Sequence, residues 1–136
     1  MYLQRLIYVS ETTNPKKDDL KDIEASSQKN NVNNAISGVL CFNANYYIQV
    51  LEGSRARVSE TFSRIHNDPR HTNVELISCT SVRKRLFENW SMLFIPLTKV
   101  GQDVILKYSV TPDLRPKNMD SDTIVDFCCV LAAKQA

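Results

Sequence analysis

The chain has 136 residues, 43% hydrophobic and 24% charged, with a formal net charge of +2. That length and composition describe one globular domain able to bury a core. So small a charge argues against a nucleic-acid or anionic-membrane surface, and no apolar run approaches the roughly 20 residues that cross a bilayer.

Tyr2 to Val9 reads as the first strand, with Leu3, Ile7 and Val9 toward one face and Gln4, Leu6 and Tyr8 toward the other. Asn14-Pro15 then starts a helix: asparagine can cap and proline suits the first turn. Its inward stripe runs Leu20, Ile23, Ser27 and reaches Asn30 and Asn31, so it begins apolar and ends polar, unlike a packing helix. Ile36 to Gly53 reads as a hairpin turning at Asn43-Ala44-Asn45. Gln49 shares a pleat face with Tyr47 and Leu51. A buried primary amide has four hydrogen-bonding positions, each costly to leave unpaired, so Gln49 is either at an exposed edge or facing a polar partner.

The second helix runs from a Ser54 cap to Asn67, with Val58, Phe62 and Ile65 inward, and Asp68-Pro69 ends it. Asn73 to Val82 is a strand and Arg83-Lys84-Arg85 a basic turn. Trp90 to Leu97 is the last strand, with Trp90, Met92 and Phe94 on one face. Beyond Gly101 the composition changes: Thr111-Pro112 and Arg115-Pro116 mark turns, and Asp120 to Ala133 forms a helix with Ile124, Phe127, Cys128 and Leu131 on one side. That stripe either covers the sheet or offers a partner-binding surface, with covering preferred.

The order predicts an α+β, ferredoxin-like βαββαββ sheet over residues 1–97 with both helices on one face. Residues 98–136 form a C-terminal helical extension packing on the sheet's other face. The N-terminus lacks the pattern of a signal peptide. Cys41, Cys79, Cys128 and Cys129 show neither C-x-x-C nor zinc spacing. A cytoplasmic protein with buried free thiols and no metal is expected.

In such a fold Tyr8 and Gln49 point up between the helices. Asn31 comes from one helix end; Arg64, Asp68, Arg70 and His71 come from the end of the other; Ile23 and Ile65 flank the gap. A planar ligand with polar edges and a phosphate fits these groups. The same spacing also fits a core tyrosine bonded to Gln49 with its charges on a solvated surface. Four-stranded sheets with two helices also bind RNA or hydrolyse acyl phosphates. Tyr46, Tyr47 and the basic turn give little of the aromatic pattern RNA needs, and three glycines supply no phosphate-cradling loop.

Five stretches decide between these readings: R-L-I-Y-V-S at 5–10, N-x-x-x-x-I-S-G-V-L at 31–40, Q-V-L-E-G at 49–53, I-H-N-D-P-R-H at 65–71 and R-L-F-E-N-W-S-M at 85–92. In this order they closely resemble the BLUF family, blue-light sensors using FAD, over about residues 2–97. The resemblance implies FAD held non-covalently between the two helices, with FMN or riboflavin able to substitute. It matches Tyr8 to the photochemically essential tyrosine and Gln49 to the glutamine between it and the flavin. Asn31, with neighbouring Asn30, matches the asparagine on the pyrimidine edge. Ile23 and Ile65 match the residues that sandwich the ring; Ser27, Arg64, Asp68, Arg70 and His71 match contacts to the ring edge or the ribityl and phosphate chain. Trp90 and Met92 match the signal-relay residues of the last strand. Ser37 stands where threonine is usual, and Leu93 replaces a frequent glycine. The resemblance implies a photosensory switch without net turnover, forming a homo-oligomer and signalling to a separate effector protein.

Overall fold

The structure is a computed structural model that describes residues 3–12 and 17–135. Tyr2, Asn14 and Pro15 lie outside the described residues, so the expected helix start does too. The elements are β1 (Leu3–Thr12), α1 (Lys17–Asn33), β2 (Ser37–Phe42), β3 (Tyr46–Ser54), α2 (Arg55–His66), β4 (His71–Ser81), β5 (Leu93–Pro96), α3 (Gln102–Ile105) and α4 (Ser121–Ala133). The sheet order is β4-β1-β3-β2-β5, antiparallel except for the β2–β5 pair. The expected βαββαββ order and ferredoxin-like sheet are present.

Local chemistry sets the joints. Asn43 Oδ1 accepts the amides of Asn45 and Tyr46, both at 2.8 Å, and closes the β2–β3 hairpin. Ser54 Oγ caps α2 by accepting from Arg57 N, and Asp120 Oδ1 caps α4 by accepting from Thr123 N. After α2, Asp68 Oδ1 accepts from Arg70 N at 2.9 Å, a turn that throws the chain into β4.

Pleat alternation divides the core in two. On the α1/α2 face Leu6, Tyr8, Leu40, Tyr47 and Leu51 pack with Ile23, Val58 and Met92. On the other face Ile7, Val9, Val39, Cys41, Ile48 and Val50 pack with Ile124, Phe127, Cys128 and Leu131 of α4. The stripe on α4 is therefore buried against the sheet, which removes it as an exposed partner surface. Lys117 reaches Glu11 at 3.6 Å and Glu75 at 3.9 Å, tying the C-terminal segment to the β1/β4 side of the sheet.

Four expectations need correction. The last strand is Leu93–Pro96, not Trp90–Leu97, because Trp90 N and Trp90 O bond to Phe87 O and Gly38 N in a turn before it. Trp90 does not share a face with Met92 and Phe94: it packs in the α4-side cluster, they in the α1/α2-side cluster. The fourth strand begins at His71 rather than Asn73, which sits within it at φ 48° beside an irregularity in the β1–β4 register. Of the thiols, Cys41 and Cys128 are buried, but Cys79 is exposed and Cys129 half-buried.

Candidate functional site

A cavity of about 310 Å³ opens between α1 and α2 above β2 and β3. Ile23, Leu40 and Ile65 give it apolar walls. Ser26, Ser27, Asn30, Asn31, Gln49 and Thr61 supply amides and hydroxyls, and Arg64, Asp68, Arg70 and His71 lie along it. The structure thus brings together Ile23, Ser27, Asn30, Asn31, Gln49, Arg64, Ile65, Asp68, Arg70 and His71 of the sequence reading. Ser26, Leu40 and Thr61 were missed. Register gave a signal for one of them: Leu40 sits directly across from Gln49. Ser26 and Thr61 belong to no apolar stripe, which is why periodicity passes over them.

Tyr8 lies behind this lining. It stands opposite Gln49 across the β1–β3 ladder, wholly buried, and its hydroxyl donates to Gln49 Oε1. Phe62 stands 5.6 Å from its ring. Burial, then the nearby Tyr47 and Asp68, push the Tyr8 phenol well above its ordinary pKa, so the ground-state proton is firmly held. Gln49 Nε2 donates in turn to Met92 Sδ at 3.6 Å. Gln49 is therefore no edge residue: both ends of its amide are engaged, and it forms the floor of the cavity.

The Met92 segment is held from α1. Asn31 Nδ2 donates to Ser91 O at 2.7 Å and Gln28 Nε2 to Met92 O at 3.3 Å. With its amide nitrogen so used, Asn31 keeps Oδ1 as an acceptor beside the cavity. At the other end Arg70 grips the Asp68 carboxylate, with Nη2 to Oδ2 at 2.6 Å. That hydrogen bond holds the Asp68 carboxyl below its usual range. His71 Nδ1 lies 3.0 Å from Ser10 Oγ and its ring packs at 4.5 Å on Tyr47. Burial lowers His71 to about 4, with Asp68 opposing and Arg70 reinforcing the shift, so the imidazole is neutral at pH 7. Neither Trp90 nor Met92 lines the cavity; Met92 reaches it only through its sulfur against the Gln49 amide.

These groups fit a flavin. Branched aliphatic walls suit a flat aromatic ring, the amides match the donors and acceptors along its pyrimidine edge, and arginines suit phosphate. The cavity volume falls at the small end of the range of about 300–1,000 Å³ for such ligands.

Comparisons with known proteins agree. The photoactivated adenylate cyclase subunit beta of Euglena gracilis is 30% identical over 92 residues, which cover 66% of this chain and 11% of that protein. The blue light- and temperature-regulated antirepressor BluF of Escherichia coli (strain K12) is 26% identical over 88 residues, 65% of this chain and 22% of its own. The chain spans about a tenth of the length of the cyclase subunits it matches. Among solved structures, BlsA in its photo-activated state superposes with a TM-score of 0.85 at 27% identity, covering 96% of this chain and 94% of that one. Among the described residues no helix is long and apolar enough to cross a membrane. The family model described as sensors of blue-light using FAD matches residues 3–93, and on that match the chain belongs to the BLUF family.

Proposed function

We propose that this chain is a cytoplasmic photosensory switch without net turnover, in which Tyr8 and Gln49 convert absorbed blue light into a change in hydrogen bonding. The observation that carries the reading is the buried line from Tyr8 Oη to Gln49 Oε1 and from Gln49 Nε2 to Met92 Sδ at the cavity floor.

When bound, FAD supplies absorption of blue light and an excited state able to oxidise a neighbouring phenol. The rest falls to the protein. Ile23 and Ile65 wall the ring, Asn30 and Asn31 hold its polar edge, and Ser27, Arg64, Asp68, Arg70 and His71 line the way to the ribityl and phosphate chain. FMN and riboflavin share the ring contacts and substitute for FAD.

A tyrosine phenol titrates near 10 in water, and burial moves Tyr8 higher. A phenol that has lost an electron is strongly acidic, so its proton leaves Oη, and Gln49 Oε1 is the acceptor in place. Return of the electron and proton restores Tyr8, so nothing is consumed. Gln49, with its own two amide protons intact, would be left turned, so that Nε2 no longer donates to Met92 Sδ and would be free to donate to a bound ring.

One rearranged hydrogen bond is worth roughly 0.5–1.5 kcal/mol, which biases a two-state element by about tenfold at most. The output element must therefore be marginal already. Met92, β5 and the segment after Gly101 are that element, and they pass the change to a separate effector protein or to a second copy of the chain in a homo-oligomer. Cyclase and antirepressor relatives name two kinds of output for such a domain.

The test is the visible spectrum of the chain loaded with FAD. The unaltered protein gives a reversible red shift in blue light. Gln49→Leu stays yellow and gives none. A red shift that survives in Gln49→Leu overturns the assignment of Gln49 as the switch.

A further inference from the structure

Glu52 is wholly buried, three residues beyond Gln49 on β3 and on the opposite pleat face. Each of its carboxylate oxygens takes two donors. Oε1 accepts from Ser37 Oγ at 3.2 Å and Phe87 N at 2.9 Å; Oε2 accepts from Arg5 Nε at 3.0 Å and Leu86 N at 2.8 Å. A carboxylate has about four lone-pair positions, and all are used. Arg85 reinforces the knot, donating to Ser37 Oγ at 2.9 Å, Glu52 O at 3.1 Å and Ala35 O at 2.7 Å. A buried anion is costly unless it is paired and bonded, so a turn that only needed closing would be cheaper with a neutral side chain. What this carboxylate adds is a stiff hold on two consecutive backbone amides.

Those amides begin the segment that leads to Met92. It crosses from one side of the sheet to the other: Phe87 and Trp90 pack with the α4-side cluster, Met92 with the cavity side. Beyond Phe87 the segment is held at Trp90, Ser91 and Met92. Trp90 N donates to Phe87 O at 3.1 Å, and Gly38 N donates to Trp90 O at 3.1 Å. Asn31 and Gln28 then hold Ser91 O and Met92 O. The far end is the Met92 sulfur under the Gln49 amide.

We propose that Glu52 is a positioning residue of the light reaction: by fixing Leu86 and Phe87 it sets where the Met92 sulfur meets the Gln49 amide and how long a turned amide persists. The proposal rests on the reading of Gln49 as the switch.

Glu52→Gln keeps the shape but puts an amide donor where a carboxylate oxygen accepted two bonds. On the full chain with FAD, in the dark, the Met92 methyl NMR signal moves or splits while the flavin stays bound. After illumination the decay of the red-shifted state changes by about two- to tenfold, the range spanned by one hydrogen bond. In a Met92→Leu background the same substitution no longer alters the decay. Should Glu52→Gln fail to fold, Ser37→Ala removes one carboxylate bond and gives a smaller change that vanishes with Met92 in the same way. An unmoved methyl signal, an unchanged decay, or an equal effect in both backgrounds overturns the proposal. A wild-type chain without any red shift instead removes the Gln49 switch, and the dark methyl signal still decides whether Glu52 holds Met92.

Discussion

Tyr8, Gln49 and His71 show how burial turns ordinary side chains into tuned ones. For Tyr8 it locks the proton on; for His71 it keeps the proton off, down to about pH 4. In the unfolded chain an imidazole takes up its proton near 6.5, so between that value and about 4 the unfolded state binds more protons than the fold. The contribution of His71 to stability is therefore fully present above about pH 6.5 and is lost as pH falls toward 4. The loss is roughly 3 kcal/mol at the most. Urea midpoints measured in the dark at saturating FAD should fall across that window, and His71→Asn should flatten the slope. A His71→Asn chain with the same pH slope would show that another group titrates there. Residue types and order picked out Tyr8, Gln49, Asn31, Arg70 and His71 but fitted a plain core tyrosine with solvated charges as well; the resemblance carried by the five motifs chose between the two readings. The role of Glu52 was not legible, because nothing near it in the chain says which four donors it will find, and they come from residues as distant as Arg5.

Among the elements, β2 carries the tightest fit. A Cβ added at Gly38 would lie 2.1 Å from Val50 O and 3.2 Å from its carbonyl carbon, across the β2–β3 ladder. Backbone must move to admit it. The Gly38 amide also holds Trp90 O, so displacement of β2 loosens the segment leading to Met92 as well. Gly38→Ala should cost about 1–3 kcal/mol, the usual range for overpacking, and should weaken flavin retention. The urea midpoint and the bound-flavin absorbance after gel filtration measure both; retention of each at the unaltered level counts against the close fit. The strands and helices themselves were largely foreseen, because periods of 2 and 3.6 are printed in the order of residues. The last strand was not. Trp90, Met92 and Phe94 alternate as strand residues should, yet Trp90 N closes a turn onto Phe87 O and the Ser91 carbonyl is taken by Asn31 of α1 rather than by a strand.

At the scale of the whole molecule, one sheet serves two interiors. Its α1/α2 face holds the cavity, and its other face is sealed by the C-terminal segment through Ile124, Phe127, Cys128 and Leu131. We propose that residues 98–136 are an extension of the flavin-binding unit whose part is to cover the sheet's second face. A chain ending at Leu97 leaves Ile7, Val9, Val39, Ile48 and Val50 uncovered, a contiguous apolar surface of the kind that associates. It should bind FAD, since the cavity lining lies within residues 23–71, but light scattering should find it aggregated or self-associated. A monodisperse monomer with undiminished stability would contradict this.

What the order of residues determined by itself was the alternation of faces, the polar end of α1, the breaks at Asn43 and Asp68, and the face of its own strand on which Tyr8 or Gln49 lies. All of these follow from backbone geometry over a few neighbours. What only the tertiary structure decided was the path of residues 86–92: Leu86 and Phe87 held by Glu52, Trp90 given to the α4 side, and Met92 brought under Gln49. The physical reason is that these positions are set by bonds between groups 33 to 64 residues apart, and no local period encodes which distant donor a carboxylate or a carbonyl will find.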